Sequence, residues 1–414
     1  MENELKNKQY YKFSFYGFFK NLRFFESFLI LYFLSKDQSF INIGFLYSIK
    51  ELTIFIMEIP SGVIADAVGR RRTLIFSFAF YIISFLVFYL AGSFLWFSVA
   101  MLFFALAEAF RSGVHKAMIF DYLQQKGWAD KKTEYYGHTR SWSQKGSALS
   151  ALTAAFLVFF TKRYDVVFLV SVVPYFIDMA LIFSYPKWLD GELKRVDTVT
   201  VRQKFLEVEK AFAQTFRSLK FIRVLFSLSL YTGYYKAVKD YVQPMIRTLA
   251  LTLPVFMYWH EDQRVAVFVG LFYFITYWLT SWMSRRSGVF LKRFADYKRP
   301  MNYTLVTGFM FGILAGGVYL LGWYFASVMG FVGIMLIENL RKPIGVAAVA
   351  DLTNSHAMAT VLSVSSQLQS VFAAIIAPMI GFIADQYGPG AGLAIVSIVL
   401  ILLFPFYWLQ PEIK

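Results

Sequence analysis

A chain of 414 residues that is 58% hydrophobic and 16% charged carries more apolar surface than one water-soluble core can hold, so the bilayer is its expected solvent. A net charge of +15 invites a nucleic-acid reading, but the basic residues gather in alternate loops, which such a surface does not require. The absence of Cys excludes disulfides, thiolate metal sites and catalytic thiols; His115, His138, His260 and His356 have no ligand spacing, so no metal or cofactor is expected.

In chain order, predominantly apolar runs occupy residues 13–34, 41–65, 73–91, 94–120, 140–160 and 166–185. Six more occupy 224–242, 265–283, 301–321, 323–350, 359–383 and 391–409. Each is near the roughly 20 residues that cross a hydrocarbon core as a helix. Backbone amides in lipid must be paired within the segment, and long runs without polar alternation exclude a barrel. The expected class is an all-α membrane protein with twelve transmembrane helices in two six-helix bundles. The first run contains Lys20, Arg23 and Glu26, so it is read as a retained helix rather than a cleaved signal.

The longest polar stretch separates residues 1–186, an N-terminal bundle, from 224–414, a C-terminal one. Within the connecting segment, 187–223, Val201, Phe205, Val208, Phe212 and Phe216 recur at helical spacing, which suggests an amphipathic helix on the membrane surface. The loops on one side carry 25 Lys and Arg against 5 on the other. Positive loops stay inside, so both termini and the central segment are expected in the cytoplasm of a cell that holds the protein in its plasma membrane. Attraction of these cations to anionic lipid is secondary.

The halves repeat. Gly92, Glu108, Arg111, Ala117 and Asp121 are matched by Gly322, Glu338, Arg341, Ala347 and Asp351 at one offset of 230. Ser61-Gly62-Val63 returns as Ser287-Gly288-Val289 at an offset of 226. Parallel repeats about an axis along the membrane normal are known in transporters. Gly62, Asp66, Gly69, Arg70 and Arg71 stand where the major facilitator superfamily has Gly-x-x-x-Asp-Arg/Lys-x-Gly-Arg-Arg/Lys in its second loop, and the chain resembles that family in this loop and in topology. Ala67 departs from it, where a cation is usual.

Gly62 would let helices approach closely, Gly69 would supply a turn, and Asp66 would cap a helix N-terminus. Arg70 would pair with Asp121. The resemblance implies that this cluster latches the outward-facing state. In the second half Lys292 and Asp296 replace Asp66 and Arg70, so the latch is expected to be asymmetric.

Charges inside a membrane are costly and usually face a bundle interior. Arg23 with Glu26, Glu108 with Arg111, Lys236 with Asp240, and Glu338 with Arg341 lie three or four residues apart, so each pair shares a helix face. They fall on the first, fourth, seventh and tenth runs, which line the central cavity in the resembled family. Glu51, in a stripe with Tyr47, Ile54 and Glu58 and beside Lys50, joins them, as does Asp178 beyond Pro174. Glu26, Glu108 and Glu338 are candidates for a protonation switch. Most aromatic rings serve packing or the interfaces, with Trp142 beside Arg140 the one chosen for the site.

These features point to secondary active transport of a small solute by alternating access, by a monomer, coupled to protons or another ion. An exporter of drugs or solutes and an uptake symporter of organic ions are the two forms it could take. A non-transporting receptor or scaffold would have little use for the charge pairs. No phosphate-binding loop and no hydrolase or zinc-protease motif occurs, so neither ATP use nor an enzyme is expected.

Overall fold

Apolar runs in lipid become helices because only intrasegment bonds satisfy their backbones. The computed structural model describes residues 6–128, 131–190, 206, 219–294, 296–351 and 358–410, and no strand occurs among them. The expected amphipathic segment around Val201 to Phe216 lies outside the described residues.

The helices of the first half are α1 (Lys8–Lys20), α2 (Leu29–Ser35), α3 (Phe40–Val68), α4 (Arg70–Leu90), α5 (Phe94–Arg111), α6 (Val114–Gln125), α7 (Lys132–Thr161) and α8 (Val166–Phe183). Those of the second half are α9 (Leu219–Val238), α10 (Val242–Thr252), α11 (Glu261–Leu291), α12 (Lys298–Leu320), α13 (Tyr324–Asp351), α14 (Met358–Tyr387), α15 (Pro389–Leu402) and α16 (Phe404–Tyr407). Among the described residues, eight stretches are long and apolar enough to cross a membrane by themselves. The others cover the remaining expected spans but are broken, short or, in α7, polar over one half.

Among the described residues, four of the expected continuous helices are interrupted, the twelfth at Leu403. The first breaks after Lys20 and resumes as a 3-10 turn at Glu26–Phe28; the seventh breaks into a 3-10 turn at Lys239–Tyr241. The fourth breaks at Ser112–Gly113, where Gly113 has φ +73°. Hydropathy sees composition and misses such breaks, because side chains elsewhere satisfy the freed backbone. Gln243 Nε2 donates to the Glu26 carbonyl at 2.9 Å, and Gln243 Oε1 accepts from Ile30 N at 2.8 Å. Broken helices of this kind are where transporters place their sites.

The two interrupted first helices also repeat in sequence. Gly17-Phe-Phe-Lys20-Asn-Leu-Arg23 is matched by Gly233-Tyr-Tyr-Lys236-Ala-Val-Lys239 at an offset of 216. A Cβ on Gly17 would stand 2.6 Å from Ser143 Oγ on α7, and one on Gly233 would stand 2.6 Å from Phe372 Cβ on α14. Each glycine thus seats the first span of its half against the fifth.

The halves meet chiefly through α3 with α14 and α11 with α7, and again the repeat explains why. Gly44-Phe-Leu-Tyr47 on α3 is matched by Gly270-Leu-Phe-Tyr273 on α11. Gly44 leaves 2.7 Å between an added Cβ and the Ala377 carbonyl, while Gly270 lies directly against Ala155. Ser48 Oγ donates to the Ala374 carbonyl at 2.6 Å. At the same end of the bundle Asp385 accepts from Phe40 N at 2.6 Å and Ile41 N at 2.9 Å, so the start of α3 is capped from the other half. Tyr164 OH donates to Asp262 across the interface at 2.8 Å.

At the opposite end the loop between α3 and α4 is built on Gly69, whose φ of +102° favours glycine. Asp190, in the 3-10 turn Lys187–Asp190, accepts from Arg71 N at 2.8 Å and lies against Gly69. Asp190 thus places a carboxylate at the N-terminus of α4. Residues assigned to the connecting segment here dock on the first half. Arg70 pairs with Asp121, as expected. Among the described residues, Gly62 and Gly288 have no heavy atom within 4 Å of an added Cβ, so no close helix approach is made at Gly62 by these residues.

Candidate functional site

Between the halves, at the breaks of the first and seventh spans, lies a cavity of about 230 Å³. Its charged lining is Arg23, Lys50, Lys236 and Lys239 with Glu26, Glu51, Glu108 and Asp240, four cations against four carboxylates. Tyr47, Phe25, Phe88, Met101 and Phe104 supply rings and a thioether.

The expected helix-face pairs form only in part. Glu108 is held by Arg111 from its own helix, at 2.5 Å, but its other oxygen takes Arg23 from the first span, also at 2.5 Å. Arg111 Nε donates to Tyr81 OH at 3.1 Å. Glu26 does not pair with Arg23. It takes Lys239 of the other half at 2.5 Å. Lys236 reaches Glu51 at 3.1 Å, and the opposite Glu51 oxygen is 3.1 Å from Lys50. Ser370 Oγ donates to Glu51 at 2.9 Å. Asp240 accepts from Tyr47 OH at 2.6 Å and lies 3.8 Å from Lys239. The helix break accounts for these rearrangements: once the first and seventh spans unwind, three- and four-residue spacing no longer fixes a shared face.

Five expected site residues stand elsewhere. Arg341, 1% exposed, is turned into the second half, where its guanidinium donates to the Ser227 carbonyl and Oγ, each at 2.6 Å, and to the Met301 carbonyl. It pins α9, α12 and α13 together instead of meeting Glu338. Glu338 accepts from Thr232 Oγ1 at 3.0 Å and is 3.9 Å from Lys342. Arg111 lies behind Glu108, on the wall of a second cavity. Asp178 is fully buried with both oxygens unpartnered among the described residues. Trp142 packs 5.2 Å from the Phe15 ring, with Lys145 over its own ring at 4.9 Å.

Lys239, Ser370 and Gln243 were not singled out by sequence. The signal for Lys239 was present: it occupies the place of Arg23 in the 216-residue repeat. Tyr47 had a signal too, as the partner of Tyr273 in the 226-residue repeat, and Tyr273 OH is 3.2 Å from Gln243 Nε2.

A family model described as Major Facilitator Superfamily matches residues 15–375. An uncharacterized MFS-type transporter, YxaM, of Bacillus subtilis (strain 168) is 37% identical over 84 residues, which is 20% of this chain. That match spans about a fifth (21%) of the relative's length. Among solved structures, the nucleoside transporter NupG superposes with a TM-score of 0.76 at 12% identity, covering 99% of this chain and 100% of that one. A POT family transporter in complex with 5-aminolevulinic acid gives a TM-score of 0.70 at 11% identity, covering 96% of each chain. The peptide transporter POT in complex with sulfate gives 0.70 at 13% identity, over 97% and 95%. Long apolar helices, repeated halves and a charged cavity between them agree with these comparisons: the chain belongs to the Major Facilitator Superfamily, a family of membrane transporters.

Proposed function

We propose that the protein is a secondary active transporter that moves a small solute bearing both charge signs, by alternating exposure of the central cavity. The observation that carries this reading is the balanced lining, with cations and carboxylates contributed by both halves. A dipolar solute can exchange its ammonium and carboxylate for the partners that Glu26, Glu51, Lys236 and Lys239 give one another here. A solute lacking one sign would leave a buried charge without a partner, which is unfavourable. The chain shares its fold with a transporter crystallised with 5-aminolevulinic acid, a molecule of that kind.

Alternation follows from which contacts must break. The halves are joined at the Phe40 end by glycine packing and the Asp385 cap, while Gly62 and Gly288 stand apart at the other end. With the basic loops in the cytoplasm, we read this as an inward-facing arrangement in the plasma membrane. Opening the Phe40 end would pull Glu26 from Lys239 and Glu51 from Lys236. A proton on either carboxylate would offset the loss of its cation, which makes Glu26 and Glu51 our candidates for coupling, with Glu108 behind them. Arg70 and Asp121 are already paired here within the first half, so in our reading they shape this loop together with Asp66 and Gly69, and the latch of the outward-facing state closes when Gly62 meets the other half.

The test is flux in proteoliposomes across an imposed pH gradient, with amino acids, dipeptides and nucleosides as separate probes. Saturable uptake of a dipolar probe that falls at least tenfold in both Lys236→Ala and Lys239→Ala is expected. Wild-type uptake in both variants would remove the reading.

A further inference from the structure

A second cavity, of about 210 Å³, opens inside the first half between α1, α6 and α7. Its chemistry differs from that of the central cavity. Lys20, Arg111, Lys116 and Arg140 line it together with His115 and Tyr16, and no carboxylate does among the described residues.

The repeat explains the surplus of cations. Lys20 occupies the place of Lys236, which is neutralised by Glu51. The counterpart of Glu51 in the 226-residue repeat is Tyr277, so the second half offers Lys20 no acid at that position. Among the described residues Lys20 has no ion pair. Asp178 is buried nearby and shares its field with Lys20 and Arg111, but it does not line the cavity. One carboxylate leaves most of the positive charge uncompensated, since Glu108 is already shared between Arg23 and Arg111.

Two further features aim donors at the same space. Gly113, on the cavity wall, is the N-cap of the twelve-residue helix α6, whose first amides and dipole favour an anion. Tyr16 is 4% exposed, and its buried hydroxyl lies beside the Arg111 guanidinium, which can only donate, so its proton finds no acceptor among the described residues. Its ring stacks on His115, which fixes the hydroxyl in place. A buried donor left unsatisfied is costly, and an oxyanion would satisfy it.

We propose that this cavity binds a phosphate-type oxyanion, separately from the solute in the central cavity. Lys20, Arg111 and Arg140 supply charge, and Tyr16 and the α6 amides supply directed hydrogen bonds. The oxyanion could belong to a soluble phosphate or to the headgroup of an anionic lipid, since Arg140 is exposed at the mouth. The wall shared by the two cavities is the Glu108–Arg111 pair.

The experiment uses the full chain in phosphatidylcholine nanodiscs, with inorganic phosphate titrated against chloride at constant ionic strength. A saturable rise in unfolding temperature is expected in the wild type and in Lys126→Ala, an exposed surface change. Affinity should fall at least tenfold in Lys20→Ala and in Arg140→Ala. If phosphate has no effect but native mass spectrometry finds phosphatidylglycerol retained over phosphatidylcholine, with retention lost in the same two variants, the oxyanion is a lipid headgroup. If both variants bind phosphate and phosphatidylglycerol as the wild type does, or the wild type binds neither, the proposal fails. Neither readout involves flux, so its failure is distinct from failure of the transport reading.

Discussion

Lys236 reaches across the interface between the halves to Glu51, its ammonium 3.1 Å from one carboxylate oxygen while Lys50 stands 3.1 Å from the other. The Glu51 side chain is 3% exposed, so its charge depends on these two cations and on Ser370. The pair is both part of the cavity wall and part of what joins the halves.

Removing one partner should cost more than removing both. Lys236→Ala takes a charge-assisted bond from a buried carboxylate and should lower stability by about 1.5–3 kcal/mol, whereas Glu51→Gln with Lys236→Ala should recover part of that loss. Thermal unfolding of the two variants in one detergent makes the comparison, and a double variant less stable than Lys236→Ala would contradict it.

Backbone approaches at the Phe40 end are close on both sides: an added Cβ on Gly381 would lie directly against the Phe40 carbonyl, and one on Gly44 would stand 2.7 Å from both the Ala377 carbonyl and Pro378 Cα. Gly44→Ala should force α3 from α14, at a cost of about 1–3 kcal/mol to that closed arrangement. Distances between spin labels near Phe40 and Asp385 should lengthen in the variant, and an unchanged distribution would show that the contact does not hold this end shut.

Asp190 links the turn after the sixth span to the start of α4. Asp190→Ala removes the acceptor of Arg71 N and the 3.7 Å approach to Arg71 Nε, and should destabilise by about 1–2 kcal/mol. Asp190→Asn keeps an acceptor and should be milder, as measured by thermal unfolding. Equal losses would assign the effect to charge alone.

Asp121→Asn should shift the balance between conformations more than Asp351→Asn. Asp121 meets Arg70, whereas the loop of the second half has Asp296 where Arg70 stands, and the Asp351 side chain lies outside the described residues. Equal changes in the labelling of single-cysteine reporters would count against an asymmetric latch.

Composition and loop charge made the helical class legible, because the bilayer leaves a long apolar segment few alternatives. The Gly69 turn was legible because a short loop leaves its backbone few alternatives, and the Arg70–Asp121 pair because the topology brings the second loop and the inner end of the fourth span to one side. Of the site, Arg23, Glu26, Lys50, Glu51, Glu108, Lys236 and Asp240 do line the central cavity. Their partners were misread because same-helix spacing assumes an unbroken helix. Glu338 and Arg341 were misplaced for another reason: the 230-residue repeat is real in sequence, but Arg341 finds the Ser227 and Met301 carbonyls on its own side. Repeated residues therefore mark repeated positions without repeating roles.

The central claim, that a charged chamber between the halves is wetted alternately from each side, is tested most directly by labelling Leu29→Cys. Leu29 lines the cavity without charge, and the chain has no other cysteine to compete. A membrane-impermeant maleimide should label this cysteine from the cytoplasmic face in inside-out vesicles. When Gly44→Ala is added, labelling from the outer face should appear in right-side-out vesicles. Labelling from neither face in either background would contradict the account.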